Sequence, residues 1–344
     1  MRSQDQTSAC RPGPCKSDVP PAATLDLLAY VACPIRQVFR DHFDALAAAH
    51  HSATGETLNC HIPAGCHGDD PYEALADAAT LDELPGIIAS MGFGDFMTPA
   101  FFQRFVAKGC FASANQGRVS PAFARAGLLD SEGWYTPYSV WAHVLLVDLS
   151  KLGDVPPPRR WSDLLDARYA DKIISDGARD QRFAPVPLLH FYRHYGEAGV
   201  VQLAKNIREA WHPAQMVKLA GASESKGAAI YIVPWSFARA RQWPSHVRLI
   251  WPEEGAIASP LYAWVKVDAN RAAQTIARAL LSVELGQPCA QAGFPVLNPD
   301  VDSRLPDQAS FCWLGWDYVR SHDVKKLIQV TADLSERAWL EKAA

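Results

Sequence analysis

The densest chemistry in this chain lies in Asn59-Cys-His-Ile-Pro-Ala-Gly-Cys-His-Gly68, which holds two Cys-His pairs six residues apart. Thiolate and imidazole are ligands of choice for zinc, copper and iron. Cys33 closes an earlier apolar run, and consecutive strand ends of a parallel sheet are neighbours. Cys33, Cys60, His61, Cys66 and His67 are therefore candidates for a transition-metal or Fe-S site, with the last four as its centre. The Cys-x5-Cys spacing is wider than a zinc knuckle. The same residues also fit a turn at Pro63 and Gly65 with one buried thiol and surface imidazoles, so the pattern requires no cofactor. Cys10 and Cys15 form a Cys-x4-Cys pair without partners, while Cys110, Cys289 and Cys312 sit among apolar residues and read as core thiols.

Other candidates stand where apolar runs end. Gly92-Phe93-Gly94-Asp95-Phe96 follows a buried run: its amides suit an anion and Asp95 an amine, or the loop is a turn that caps the next helix. Asp176 ends another run. Ala222-Ser223-Glu224-Ser225 offers hydroxyls and amides ahead of a helix-like segment, where a carboxylate or phosphate binds well. Each of these also reads as ordinary capping. Catalysis has little support: there is no Gly-x-Ser-x-Gly elbow, no Walker loop, and Gly92-Phe-Gly94 lacks the third glycine of a dinucleotide loop. A Cys60–His67 nucleophile pair, as an enzyme of a related fold using Cys60 or Cys66 would need, has no orienting third group.

The elements that must hold these residues alternate. Leu25–Cys33, Thr57–Ile62 and Gly86–Met91 read as strands, separated by a helix to about His50 and another over Pro71–Ala79. Val140–Leu149 is a long apolar strand; after Pro156-Pro-Pro158 come a helical Trp161–Tyr169, strands Ile173–Ser175 and Ala229–Val233, and helices from Pro187 to Trp211. Leu261–Val267 is a strand and Arg271–Leu285 an amphipathic helix stopped by Gly286. Alternation of this kind predicts parallel βαβ units. It splits into two α/β halves joined by crossings near Tyr138–Val147 and Pro252–Leu261. Ligands sit beyond the carboxyl ends of such strands, which makes Cys33, Pro34, Phe93, Asp95, Asp176, Trp235 and Ser236 cleft candidates. Tyr138 and Ser139 join them where the chain enters the hinge.

Composition sets the limits. The 344 residues carry 33 basic and 37 acidic side chains, a net charge of −4, so no basic field invites nucleic acid. No apolar run reaches the roughly 18 residues of a transmembrane helix. Residues 1–24 read as a disordered, Pro-rich tail without the apolar stretch of a secretory signal. As written, the chain is expected in the cytoplasm, or in the periplasm if a leader has been removed. A monomer is expected.

Trp161-Ser-Asp-Leu-Leu-Asp-Ala-Arg-Tyr-Ala-Asp-Lys-Ile173, preceded by Val144-Leu-Leu-Val-Asp-Leu-Ser-Lys-Leu152, resembles a segment of ABC-transporter substrate-binding proteins of the type 2 periplasmic-binding-protein fold, ferric-iron and putrescine/thiamine-like branch. Pro252-Glu-Glu-Gly-Ala-Ile257 with Ser259–Val265 is similar to the family's return crossing, and Ala279-Leu-Leu-Ser-Val-Glu-Leu-Gly-Gln287 to its helix after it. The resemblance covers residues 25–290. It implies a two-lobed clamp, each lobe a mostly parallel sheet flanked by helices, with 25–140 plus 256–344 as lobe 1 and 141–255 as lobe 2. The implied role is a non-enzymatic solute-binding protein that hands a small molecule or metal to an ABC permease. The alternative is a cytoplasmic metal or Fe-S/redox protein on the same fold, using the Cys60–Cys66 loop. One place departs from the family: where iron-binding members carry adjacent tyrosines, this chain reads Pro234-Trp235-Ser236-Phe237, which supplies no phenolate pair. An apolar or aromatic-stacked organic group, or a cation over a ring face, suits a Trp and a Phe there.

Overall fold

A computed structural model describes residues 20–63, 70–94, 96–115, 117–177, 183–222 and 227–343. Ten strands form one sheet: β1 (Leu27–Ala29), β2 (Cys60–His61), β3 (Ile87–Met91), β4 (Thr136–Asp148), β5 (Ile173–Asp176), β6 (Ile207–Trp211), β7 (Ile230–Pro234), β8 (Val247–Ile250), β9 (Ala256–Val265) and β10 (Phe311–Cys312). Their order is β2-β1-β3-β9-β4-β7-β5-β6, with β8 on the far end of β4 and β10 beside the start of β9. β2-β1-β3 are parallel, and so are β7-β5-β6. Between them runs the antiparallel pair β4–β9. The result is the expected α/β clamp, two parallel half-sheets grown from the two strands that cross between lobes.

β4 is long because its sequence allows nothing else. Val140, Val144, Leu145, Leu146 and Val147 are wholly buried, and β-branched residues pack well on a two-sided strand. On one face the core is continuous across the crossing, taking in Ile88, Val140, Val144 and Val233. On the other it divides. Leu27, Phe39, Leu261 and Phe294 belong to one cluster, and Leu145, Ile173, Ile232 and Ile257 to the other.

Several elements differ from expectation. The residues from Pro187 to Trp211 hold one kinked helix, Pro185–Asn206, broken where Gly196 adopts φ 65°, and then strand β6. The expected helix Arg271–Leu285 is two helices, Arg271–Leu280 and Val283–Gln291. Ser282 starts the second, its hydroxyl accepting from the Leu285 amide at 3.3 Å. Gly286 therefore lies inside that helix rather than stopping one, and a Cβ there would come within 3.1 Å of Val301. Pro71–Ala79 tightens to a 3₁₀ turn, Glu73–Asp77, and Trp161–Tyr169 to two, Ser162–Leu165 and Ala167–Tyr169. Of the expected tail, residues 1–19 lie outside the described residues, whereas Ala22–Thr24 is a 3₁₀ turn and the Tyr72 hydroxyl donates to the Pro20 carbonyl at 2.8 Å.

The Trp161 segment has a clear physical role. Its indole is fully buried and donates to the Gly255 carbonyl at 2.8 Å, just before β9 begins. Asp163 accepts from the Arg159 and Arg160 amides, while the Asn206 amide donates to the Leu164 and Asp166 carbonyls. The C-terminal helix Val324–Ala343 packs along Pro185–Asn206, and Trp339 donates to the Arg208 carbonyl at 3.2 Å. That helix thus lies on the second half-sheet, although the expected division assigns 256–344 to the first lobe.

His190, on the helix Pro185–Asn206, is 3% exposed between the rings of Trp161 and His194. Burial first, then the charges of His194 and Arg193, push its pKa down to about 3. The unfolded chain binds a proton below about 6.5 that the folded chain refuses, so stability is full above 6.5 and is lost as pH falls toward 3. Denaturant unfolding at pH 7, 5 and 4 should show this loss, with a ceiling of roughly 5 kcal/mol, and His190→Phe should flatten it. An identical slope in both proteins would clear His190 of the effect.

Candidate functional site

The sheet register fixes where a ligand can enter. β3 ends at Met91 opposite Leu261, and β7 ends at Pro234 opposite His143. Leu261 faces Ser139 and Ile257 faces His143 on the β4–β9 ladder, so the two ends lie four residues apart. At the rise of a strand that is roughly 13 Å. Because β3 and β7 both run toward this interval, their carboxyl ends confront one another across it. Its floor is Val140–Ala142 and Ala258–Pro260.

On the face where the core divides, the floor becomes polar. Trp141 stands opposite Ser259, and His143 follows two residues later on the same side. The Trp141 ring packs edge-on against Phe294 at 5.5 Å. His143 is 3% exposed and its Nε2 lies 3.1 Å from Asp176 Oδ2, at the end of β5. The turn after β7 meets the segment around Gly293 here: a Cβ on Gly293 would sit 2.5 Å from the Ser236 Cα, so only glycine permits the approach. Arg239 lies over the Trp235 ring at 5.5 Å and donates to the Ala290 carbonyl at 3.0 Å. The Trp141 Nε1, His143 Nδ1 and Ser236 Oγ atoms are buried with no hydrogen-bond partner among the described residues.

The expected site residues fall into separate places. Asp176 and Ser236 join Trp141 and His143 at this divide. Trp235 follows β7, but its ring turns to the continuous core and packs edge-on against Trp251 at 5.3 Å. Phe93 is in that same core. Tyr138 is buried against Phe39 at 5.9 Å, and burial drives its hydroxyl pKa well up. The Ser139 hydroxyl is already donated to the Pro295 carbonyl at 2.7 Å. Cys33 and Pro34 form the 3₁₀ turn Cys33–Ile35, with the exposed Cys33 sulfur 3.1 Å from an Arg36 nitrogen. Asp95 and Ser223 lie outside the described residues.

The proposed metal centre divides as well. Cys66 and His67 lie outside the described residues. In β2, burial, with smaller contributions from Asp26 and Asp44, pushes the Cys60 thiol up to about 12, where it holds its proton at neutral pH. His61 has its pKa lowered by burial and packs edge-on to Tyr72 at 5.1 Å. No group of three or more His, Cys, Asp or Glu able to hold a metal ion occurs among the described residues. Near this strand the Tyr30 hydroxyl donates to Asp70 Oδ2 at 2.7 Å, and Tyr30 stands 6.2 Å from Phe96.

Trp141 and His143 escape sequence reasoning because they fall inside a strand read as pure core. The available signal is a single imidazole within Val140-Trp-Ala-His-Val-Leu-Leu-Val147. A titratable group in a two-sided buried strand calls for a partner.

The profile of the family described as bacterial extracellular solute-binding protein matches residues 82–322. No curated protein matches the chain in sequence. Among solved structures it is similar to the Bordetella ferric binding protein, at TM-score 0.57 and 14% identity over 87% of this chain and 95% of that one. It is also similar to apo FutA2 from Synechocystis PCC6803, at 0.59 and 15% over 87% and 96%. A third is Trichodesmium IdiA (FutA) in complex with iron and citrate, at 0.58 and 14% over 87% and 96%. At these identities the likeness establishes the fold.

The thiol environments predict selective alkylation. Iodoacetamide at pH 8 should label exposed Cys33 in the native protein, while Cys60 reacts only after denaturation, as peptide mass spectrometry reads directly. Rapid native labelling of Cys60 would show it as a thiolate and return it to the metal question.

Proposed function

Because the chain belongs to the bacterial extracellular solute-binding protein family, we propose that it is the receptor of an ABC importer. It closes two lobes over a small solute at the β4–β9 crossing and presents the closed form to a membrane permease. The observation that carries this reading is the confrontation of two parallel half-sheets across two crossing strands, an arrangement suited to hinge closure. The family's class is binding, and no catalytic step is assigned to the chain. Among the described residues no helix is long and apolar enough to cross a membrane. An extracytoplasmic, periplasmic site of action fits the family, which gives the cytoplasmic expectation no support and does not favour the redox alternative.

We take the lobes as 25–140 with the segment from 256, and 141–255, and add the helix Val324–Ala343 to the second through its packing on Pro185–Asn206. The cargo we favour is organic. The Bordetella protein is a ferric binding protein, and the Trichodesmium structure carries iron and citrate. Ferric iron is a hard ion that favours anionic oxygen ligands, whereas the end of β7 here supplies Trp235 and Ser236.

Native mass spectrometry and small-angle scattering test the proposal together. An organic adduct lost on denaturation, whose return shrinks the radius of gyration, is the expected result. An iron adduct would keep the clamp and replace the cargo. Unchanged scattering with every solute recovered from the protein would count against a clamp.

A further inference from the structure

The divide between the lobes is lined by polar atoms that have no hydrogen-bond partner among the described residues. The Trp141 indole N–H can only donate. The Ser236 hydroxyl donates one hydrogen, and His143 Nε2 is engaged with Asp176 Oδ2 at 3.1 Å. Each is tied to the neighbouring segments Pro234–Ser236 and Gly293–Phe294. Ser236 packs on Gly293, Trp141 on Phe294, and His143 pairs with Pro234, two residues before Ser236. Trp141 Nε1, Ser236 Oγ and His143 Nδ1 have no hydrogen-bond partner among the described residues, and a buried polar group left so costs free energy.

We propose that this junction binds the oxyanion of the solute, a carboxylate or phosphate group, with the Trp141 N–H and the Ser236 O–H donating to its oxygens. The inference rests on the solute-clamp reading and names the chemical class for that cleft. His143 completes the set: the Nε2–Asp176 contact engages one ring nitrogen and leaves Nδ1 as the ring's open polar atom. With Nε2 as the donor to Asp176, Nδ1 accepts from a hydroxyl of the solute, so a hydroxylated oxyanion satisfies all three atoms. Asp176 has one oxygen already engaged by His143, so the donors free for a solute are the Trp141 N–H and the Ser236 O–H. Arg239, on the same turn of chain, adds positive charge at the lobe contact, consistent with an anion close by.

The test uses the full chain. Melting curves are taken with citrate, glycerol 3-phosphate and inorganic phosphate as oxyanion probes, and with putrescine and ferric chloride as cations. At least one oxyanion should raise the melting temperature, and Trp141→Phe and Ser236→Ala should each weaken its binding about tenfold, the scale of one hydrogen bond, while leaving the apo melting temperature unchanged. Stabilisation by a cation probe alone, or an oxyanion affinity that both substitutions leave intact, overturns the assignment. If no probe acts but scattering shows closure by a co-purified solute, that solute's mass decides. A molecule lacking carboxylate, phosphate or sulfonate overturns the oxyanion site while the clamp stands. Absence of closure with any solute removes the clamp and this site with it.

Discussion

Everything in this fold hangs on the β4–β9 ladder. Both strands are buried along their length, so their backbone groups must be satisfied within the protein on both outer edges. Each edge changes partner midway. β9 pairs with β3 over Leu261–Val265 and with β10 over Ala256–Ile257. β4 takes β7 over His143–Val147, and before that the segment around Val296, where the Val140 amide donates to the Pro295 carbonyl. The exchange of partners is what separates two lobes without ending the sheet. It also leaves His143 and Ser259 outside both apolar clusters of that face, with Trp141 at the edge of the one that holds Phe294.

The return crossing is pinned at a single peptide. The Gly255 carbonyl accepts from the Trp161 indole at 2.8 Å and lies 3.2 Å from the Cys312 sulfur. Gly255 has φ 105°, and a Cβ there would meet the Ser310 backbone at 2.8 Å, so glycine is required both by conformation and by space. Three distant parts of the chain therefore converge where β9 begins. This gives the Trp161-Ser-Asp-Leu-Leu-Asp166 run its meaning: the Trp is a plug under the crossing, and the aspartates close the turns that hold it there.

What was legible in the sequence follows burial. β1, β3, β4, β5 and β7 are apolar runs packed on both faces, and such runs announce themselves. β6 and β8, Ile207-Arg-Glu-Ala-Trp211 and Val247-Arg-Leu-Ile250, are mixed strands that periodicity cannot separate from helix ends or loops. β10 is two residues long and exists only through its pairing with β9. Asp176 and Ser236, which stand at or just after strand ends, are the expected residues that fall at the divide with Trp141 and His143. Tyr138 was read as lining the cleft, yet a bulge between Pro137 and Ser139 shifts the register there, and its ring packs against Phe39. No pattern in one strand reveals a bulge that depends on its neighbour.

The contact between the lobes also bears on how a solute could control them. Across it, Arg239 gives one hydrogen bond to the Ala290 carbonyl, an interaction of about 1 kcal/mol. Gly293 against Ser236 adds close packing but little apolar area. Contacts of this size on the divided face are within reach of a small ligand's preference for one state. On the proposed clamp, the buried, unmatched atoms of Trp141, His143 and Ser236 would tilt that balance further, because closing without a solute would shut them away from water unpaired. A solute that supplies their partners removes the penalty only when the lobes are closed. The same three side chains would then recognise the ligand and make closure depend on its presence.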